Sequence, residues 1–347
     1  MDRTSLLRAA TVPLEISEGP EKGKISTLLD DLGLTAFQAR RLAEVAEIWS
    51  NMLRKKDYVI WMGLAGALVP AGMRKIISYL IRRRMVDVLV STGANLYHDC
   101  FEAMGGKHYL GSSSADDEQL RKNRIDRMYD IVADDKKYYA TDNWIDRELS
   151  SCLVDNRPYS SREILHILGE LLNERGREKE SILIDAFKCG VPIFCPAIGD
   201  SSLGFSIMFA NREGRRIIVD HLRDAEEASK IGEEATRAGA VYLGGAVPRN
   251  FIQQSAVFAG YQTKHDKTLE SAMQITMDLG GSTLDESRRY EKASRNTRMK
   301  ICYAELTIAL PMVAQTLAER FRRLRRDVPT FEFSHSGVKI TRKQMTL

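Results

Sequence analysis

From Tyr58 onward, short apolar runs alternate with longer amphipathic segments. YVIWMGL (58–64) reads as a buried strand, and MRKIISYLIRRR (73–84) has the apolar spacing of a helix. VDVLVSTG (86–93) is again strand-like and NLYHDCFEAMG (95–105) helical. The helical run around SILIDAFKCG leads into VPIFCPAIGD (191–200), expected as a strand. RRIIVD, a helix near 222–238 and VYLGG continue the alternation. MKICYAE (299–305) and a helix from Thr307 to about Arg325 close it. The order predicts an α/β fold, Rossmann-like and doubly wound on a mostly parallel sheet. In such sheets ligands bind beyond the carboxyl ends of the strands.

Ahead of this unit, residues 26–56 carry Leu28, Leu29 and Leu32, then Phe37, Leu42, Val45, Ile48, Trp49 and Leu53. That spacing predicts two helices broken near Gly33. The first 25 or so residues, with Pro13, Gly19, Pro20 and Gly23, read as an arm. The stretch 108–180 is more polar and is expected as surface helices and loops between sheet strands. The domain reading is 1–56 for the arm and the N-terminal helical extension, 57–325 for the α/β catalytic domain and 326–347 for a C-terminal tail. Arg322, Arg323, Arg325 and Arg326 crowd one helix end, where solvated positive charge complements the helix dipole.

Composition narrows the class. The chain has 347 residues, 44% hydrophobic and 28% charged, as for a globular protein with a sizeable core. A net charge of +4 over this length gives no reason to expect nucleic acid. No stretch of 18 apolar residues is present and the N-terminus has no apolar signal region, so no membrane contact and a cytoplasmic location are expected. The five cysteines show no CxxC pair, which points to reduced, mostly buried thiols and to no metal site.

The familiar phosphate-binding and hydrolase motifs are missing. Instead, four strand ends finish in small or polar residues: GLAGALVPAG (63–72), STGANLYHD (91–99), AIGDSSLG (197–204) and LGGAVPRN (243–250). Glycine at a strand-to-helix turn lets backbone approach a phosphate or ribose closely, although it also serves ordinary tight turns. Four such turns together favour a nucleotide cofactor. A fifth segment, GGSTLDESRRYEKASR (280–295), contains Lys292. Alone it is one lysine among many; a lysine attacks an imine or carbonyl only when burial or a cationic neighbour keeps its amine neutral.

These blocks, taken in order, resemble the deoxyhypusine synthase family, especially its archaeal and bacterial branch. GLAGALVPAGMRKIISYLIRRRMVDVLVSTGANLYHD is similar to the segment that opens the family's NAD site. CPAIGDSSLG, LGGAVPRNFIQQ and STLDESRRYEK…CYAELTIALP follow in family order, and TAFQARRLAEVAEIW (35–49) matches its N-terminal helical segment. The resemblance covers roughly residues 25–320. It implies NAD as a recycled cofactor and spermidine as substrate. Spermidine is oxidised, diaminopropane leaves, a lysine captures the aminobutyl group as an imine, and an acceptor amine receives it. The acceptor is a lysine of a translation factor in deoxyhypusine synthases proper and putrescine in some bacterial relatives, which make homospermidine. A homotetramer with sites at dimer interfaces is also implied.

Position by position, Lys292 matches the covalent lysine and Glu286 a carboxylate that meets the polyamine. Cofactor contacts are implied for Gly66, Ala67 and Leu68, for Thr92, Gly93 and Ala94, for Asp200 and Ser202, for Gly245, Thr276 and Met277, and for Glu305 with Leu306. Glu305 stands where the family has an aspartate near the adenosine. On the polyamine side this chain departs from the pattern. Tyr290 and Glu291 precede Lys292 where Trp-Gly is usual. Asn250 replaces a histidine thought to handle protons, and Phe205 replaces an aspartate that grips the substrate amine. His98, beside Tyr97 on the substrate side, sits where a glutamate is usual and is the candidate for the proton transfer that Asn250 cannot perform. Three readings stay open: transfer to a protein lysine, transfer to putrescine, and a degenerate NAD-binding subunit. Retention of Lys292 and Glu286 speaks against the last.

Overall fold

The computed structural model describes residues 24–211, 214–279, 298–323, 325–334 and 337–346. Helices α1 (Ile25–Gly33) and α2 (Phe37–Arg54) come first, with the break where the apolar spacing predicts it. Helix α2 buries Val45, Ala46, Trp49, Met52 and Leu53. The Trp49 indole N–H donates to the Met85 carbonyl at 3.0 Å, so the helix is keyed to the sheet by a polar contact as well as by apolar area.

Six parallel strands form the central sheet: β1 (Tyr58–Leu64), β2 (Val88–Ser91), β7 (Ile193–Phe194), β9 (Arg237–Leu243), β10 (Ser271–Thr276) and β11 (Arg298–Tyr303), in the order β11-β10-β9-β1-β2-β7. Small strands β3 (His108–Leu110), β4 (Ile125–Met128) and β5 (Ile131–Asp134) make a separate antiparallel sheet, and β6 (Pro158–Tyr159) pairs with β8 (Ile218–Val219). A π-helical turn at Val69–Met73 precedes α3 (Arg74–Arg82). Then come α4 (Gly93–Ala103), α5 (Asp117–Lys122), α6 (Asp135–Cys152), α7 (Ser161–Arg175), α8 (Ile182–Cys189), α9 (Ser202–Ala210), α10 (His221–Glu234), α11 (Ala246–Thr263) and α12 (Leu306–Arg320). The chain builds outward from β1 to β2 and β7, then returns to the other side of β1 with β9, β10 and β11. The winding therefore reverses between β1 and β9, the position where an open parallel sheet leaves a crevice at its carboxyl edge.

The sheet is covered on both faces, which is why its strands read as unbroken apolar runs. On β1, Tyr58, Ile60, Met62 and Leu64 enter one core, with residues of α2, α3, α4, α8 and α12. Val59 and Trp61 enter the other, with Ala228 and Ile231 of α10 and Ile252 of α11. Two expectations are corrected here. The strand over 191–200 shrinks to Ile193–Phe194, because Pro192 and Pro196 bracket it and neither can donate to a ladder. RRIIVD contributes only Ile218–Val219, and these pair with β6 outside the main sheet.

Residues 325–346, read above as helix end and tail, form an antiparallel hairpin of β12 (Arg325–Ser334) and β13 (Gly337–Thr346). The hairpin lays Val338, Phe331, Phe333 and Ile340 on the second core. Arg326 is the clearest departure from the solvated charge expected of it: it is 3% exposed. Its guanidinium donates to both carboxylate oxygens of Asp87, which is 0% exposed, and to the Arg84 and Tyr58 carbonyls. Asp87 also accepts from the Ile60 amide at 2.8 Å. Among the described residues, no helix is long and apolar enough to cross a membrane.

Candidate active site

The parallel sheet gathers the matched positions at one place. Gly66, Ala67 and Leu68 follow β1; Thr92, Gly93 and Ala94 follow β2; Asp200 and Ser202 follow β7. Gly245 follows β9, Thr276 and Met277 end β10, and Glu305 with Leu306 follows β11. Segments more than 200 residues apart in sequence thus share the carboxyl edge, with the β1 and β9 loops on either side of the reversal. Gly66, Ala67, Asp200, Ser202, Met277 and Glu305 are exposed there.

Two glycines are required by the geometry. At Gly93 a Cβ would lie 2.1 Å from the Ser201 Oγ, so only glycine lets the starts of α4 and α9 touch. Gly244 turns the chain out of β9 with φ of +86°, in the left-handed region, and a Cβ there would lie 2.8 Å from that of Ala65. Ala246, the first residue of α11, also has a positive φ of 52°. For a residue with a Cβ that is strained, by on the order of 1–3 kcal/mol, and such strain gathers at ligand sites.

Asn95, which no sequence motif singled out, organises the β1 loop. It is 0% exposed. Its Oδ1 accepts from the Leu68 and Val69 amides at 2.8 and 3.2 Å, and its Nδ2 donates to the Gly66 carbonyl at 3.1 Å and to Thr92 Oγ1 at 3.0 Å. Thr92 in turn donates to the Gly66 carbonyl at 2.8 Å. The loop after β1 is therefore held in shape by the start of the helix after β2. The apolar residues of this loop leave its positioning to backbone and Asn95.

Four helices begin at this edge, and their caps differ. Ser201 caps α9, and the Glu305 Oε2 caps α12 by accepting from the Thr307 and Ile308 amides at 2.8 and 3.2 Å. Thr92 and Gly245, the N-caps of α4 and α11, make no side-chain cap. Uncapped helix starts in a glycine-lined crevice suit phosphate oxygens. These residues fit a dinucleotide. All the cap bonds of Glu305 fall on Oε2, which leaves Oε1 outside the cap.

The substrate-side residues divide. Asn250 is exposed on the first turns of α11 and Phe205 is 54% exposed on α9. Tyr97 and His98 are buried on α4 at 3% and 8%. Tyr97 stacks on Tyr138, with ring centroids 5.8 Å apart. The His98 Nδ1 lies 3.2 Å from His108 Nε2 and 3.5 Å from the Tyr138 hydroxyl, and His108 Nδ1 lies 2.9 Å from Glu102. Among the described residues no contact joins His98 to Asn250. Lys292, Glu286 and Tyr290 lie outside the described residues.

Burial, reinforced by His108, pushes the His98 imidazole down to about 3 from its usual 6.5. It is thus neutral at physiological pH and a weak proton acceptor, which speaks against the proton-transfer role expected of it. A consequence for stability follows. The unfolded chain protonates this residue below about pH 6.5 and the fold refuses the proton until about pH 3. The stabilisation is complete above the unfolded value and is lost as pH falls through that window, about 2 kcal/mol of it between pH 7 and pH 5. Urea denaturation at both pH values should show a larger drop for the wild type than for His98→Gln. Equal drops would mean that His98 carries its charge in the fold.

Comparison with known proteins places the whole chain. The deoxyhypusine synthase family model matches residues 27–317. "Probable deoxyhypusine synthase 2" of Methanosarcina mazei is 42% identical over 329 residues, 93% of this chain and 94% of its own. "Deoxyhypusine synthase-like protein" of Chlorobaculum parvum is 35% identical over 325 residues, 90% of this chain and 92% of its own. A solved chain of Entamoeba histolytica that bears the deoxyhypusine synthase name superposes with a TM-score of 0.61 at 16% identity, over 88% of this chain and 96% of that one, a likeness of fold. With a family model matching residues 27–317 and relatives up to 42% identical over nearly the whole length, the chain belongs to the deoxyhypusine synthase family.

Proposed function

We propose that this protein transfers the 4-aminobutyl group of spermidine to an acceptor amine by way of an imine on Lys292, with NAD as its cofactor. The observation that supports it best is the convergence of the matched strand-end loops on one crevice, at the reversal of winding, in a chain that keeps Lys292 and Glu286. Gly66, Thr92, Gly93 and Gly245 would meet the phosphates and ribose through backbone and hydroxyl. Asp200 and Glu305 would accept ribose hydroxyls. A dinucleotide held there would supply reversible hydride transfer for the oxidation of spermidine and the final reduction. Lys292 supplies the amine that holds the aminobutyl group, and Glu286 offsets positive charge in a site closed to water. Phe205, Met208, Val247, Met277 and Ile308 leave an exposed apolar surface on the elements of this edge, which supports the reading of a homotetramer with sites at subunit contacts.

The acceptor in the founding activity of the family is a protein lysine, and that is the first reading here. Exposed Phe205 and Asn250, where the family carries ionisable side chains, favour a second: a diamine such as putrescine, giving homospermidine. Purified protein mixed with spermidine and NAD should release diaminopropane. Labelled spermidine should then carry its label into a translation-factor lysine or into a small amine, and separating protein from small molecules tells which. Absence of NAD binding by calorimetry and of diaminopropane would remove the reading.

A further inference from the structure

Helices α4 and α9 touch at their starts, where Gly93 meets Ser201 at the carboxyl edge. One turn further in, Tyr97 of α4 and Ser206 of α9 converge on a single carboxylate of α6, Asp142. The Ser206 hydroxyl donates to Asp142 Oδ1 at 2.9 Å, and the Tyr97 hydroxyl is hydrogen-bonded to the same side chain. Both donors are buried, at 0% and 3% exposure, whereas Asp142 is only half-buried and keeps a path to solvent.

Among the described residues the buried acids have a basic side chain close by, Asp224 through His221 at 3.4 Å and the others through arginine. Asp87, Asp99, Glu102, Glu148, Asp185 and Glu227 each have an arginine within 4.0 Å. Among the described residues Asp142 has no lysine, arginine or histidine at that distance; its partners are neutral hydroxyls. Partial burial raises its carboxyl above the usual range, with Asp135 adding like charge. A carboxylate held by neutral donors, turned to solvent at one side, lacks a counter-cation and gains most from a ligand that brings one. Phe205, next to Ser206 on α9, is 54% exposed and offers an apolar face to a methylene chain and a π face to a cation.

We infer that Asp142 receives an ammonium group of the polyamine substrate, with Tyr97 and Ser206 fixing its orientation and Phe205 lining the approach. The inference rests on the reading of the site as a spermidine site and assigns the residue that sets its amine specificity.

Calorimetric titration of the NAD-loaded protein with spermidine tests it directly. Asp142→Asn, nearly isosteric and still able to accept from both hydroxyls, should weaken spermidine binding about tenfold and leave NAD affinity unchanged. Phe205→Asp in the Asp142→Asn background should recover much of that loss, which a merely structural role of Asp142 would not allow. Should Asp142→Asn fold poorly, Phe205→Lys answers the same question from an exposed position. A tethered ammonium next to Ser206, the residue that holds Asp142, should compete with spermidine and raise its apparent Kd about tenfold. Spermidine affinity within twofold of wild type in Asp142→Asn, or in Phe205→Lys where the first variant does not fold, overturns the inference. Diaminopropane release by the wild type keeps the two levels apart. Release with unchanged binding in the variants refutes only the role of Asp142, whereas Asp142-dependent binding without release refutes the transfer reaction and leaves the ammonium site standing.

Discussion

Lys292→Arg should abolish aminobutyl transfer, with a loss of at least about a thousandfold, while NAD affinity stays within a few tenths of a kcal/mol of wild type. The group at this position has to form a carbon–nitrogen double bond to the aminobutyl carbon, which requires a neutral primary amine. A guanidinium keeps its proton at every accessible pH, so positive charge at position 292 is no substitute. Lys292→Ala should fail equally, which separates a nucleophile from a charge that merely attracts. Borohydride added to wild type with spermidine and NAD should reduce the imine and leave a 4-aminobutyl adduct on Lys292, found by peptide mass. The residue is six positions from Glu286 in the sequence. Wild-type product levels in Lys292→Arg would make the lysine an ordinary surface residue and the site assignment wrong.

Arg326→Ala should unfold the protein more readily by about 3–5 kcal/mol. Arg326 and Asp87 are both almost fully enclosed, and the pair is bidentate. Removing the guanidinium leaves Asp87 with the Ile60 amide at 2.8 Å and the more distant Arg84, at 3.4 Å, to hold a buried charge. It also orphans the Arg84 and Tyr58 carbonyls to which Arg326 donates. Thermal melts should shift by on the order of 5–10 °C. Replacing both partners, as Arg326→Met with Asp87→Leu, should be less damaging than the sum of the two single changes, because neither charge is then left alone. A loss below about 1 kcal/mol for Arg326→Ala would mean that the hairpin opens at little cost and that Asp87 finds water.

Much of the fold was legible from periodicity. The run 58–64 coincides with β1, and the two N-terminal helices break where leucine spacing and Gly33 indicate. Less legible were strands whose identity depends on pairing. β10 (Ser271–Thr276) did not stand out, since SAMQIT is only half apolar and becomes a strand because β9 and β11 flank it. The short β7 was overestimated because its apolar run continues through prolines that cannot join a ladder. At the site, glycine-bearing strand ends identified four of the loops. Asn95 and Asp142 went unremarked, since an asparagine after a glycine and an aspartate in a polar stretch carry no signal until other helices bring Leu68, Tyr97 and Ser206 to them.

By itself, then, the amino-acid order determined the alternating α/β class, several of its strands and helices such as β1 and the two N-terminal helices, and the family to which the chain belongs. These depend on local periodicity and on blocks of residues that occur in series. Tertiary structure alone decided which charges are buried and with whom. Arg326 reads as one of four solvated arginines and is instead locked to Asp87, 239 positions away. Asp142 lies in a stretch that reads as polar surface and is instead held by the buried Tyr97 and Ser206 hydroxyls. The reason is physical. The free energy of a charge is set by the dielectric and the partners around it, and both come from segments that sequence distance does not relate.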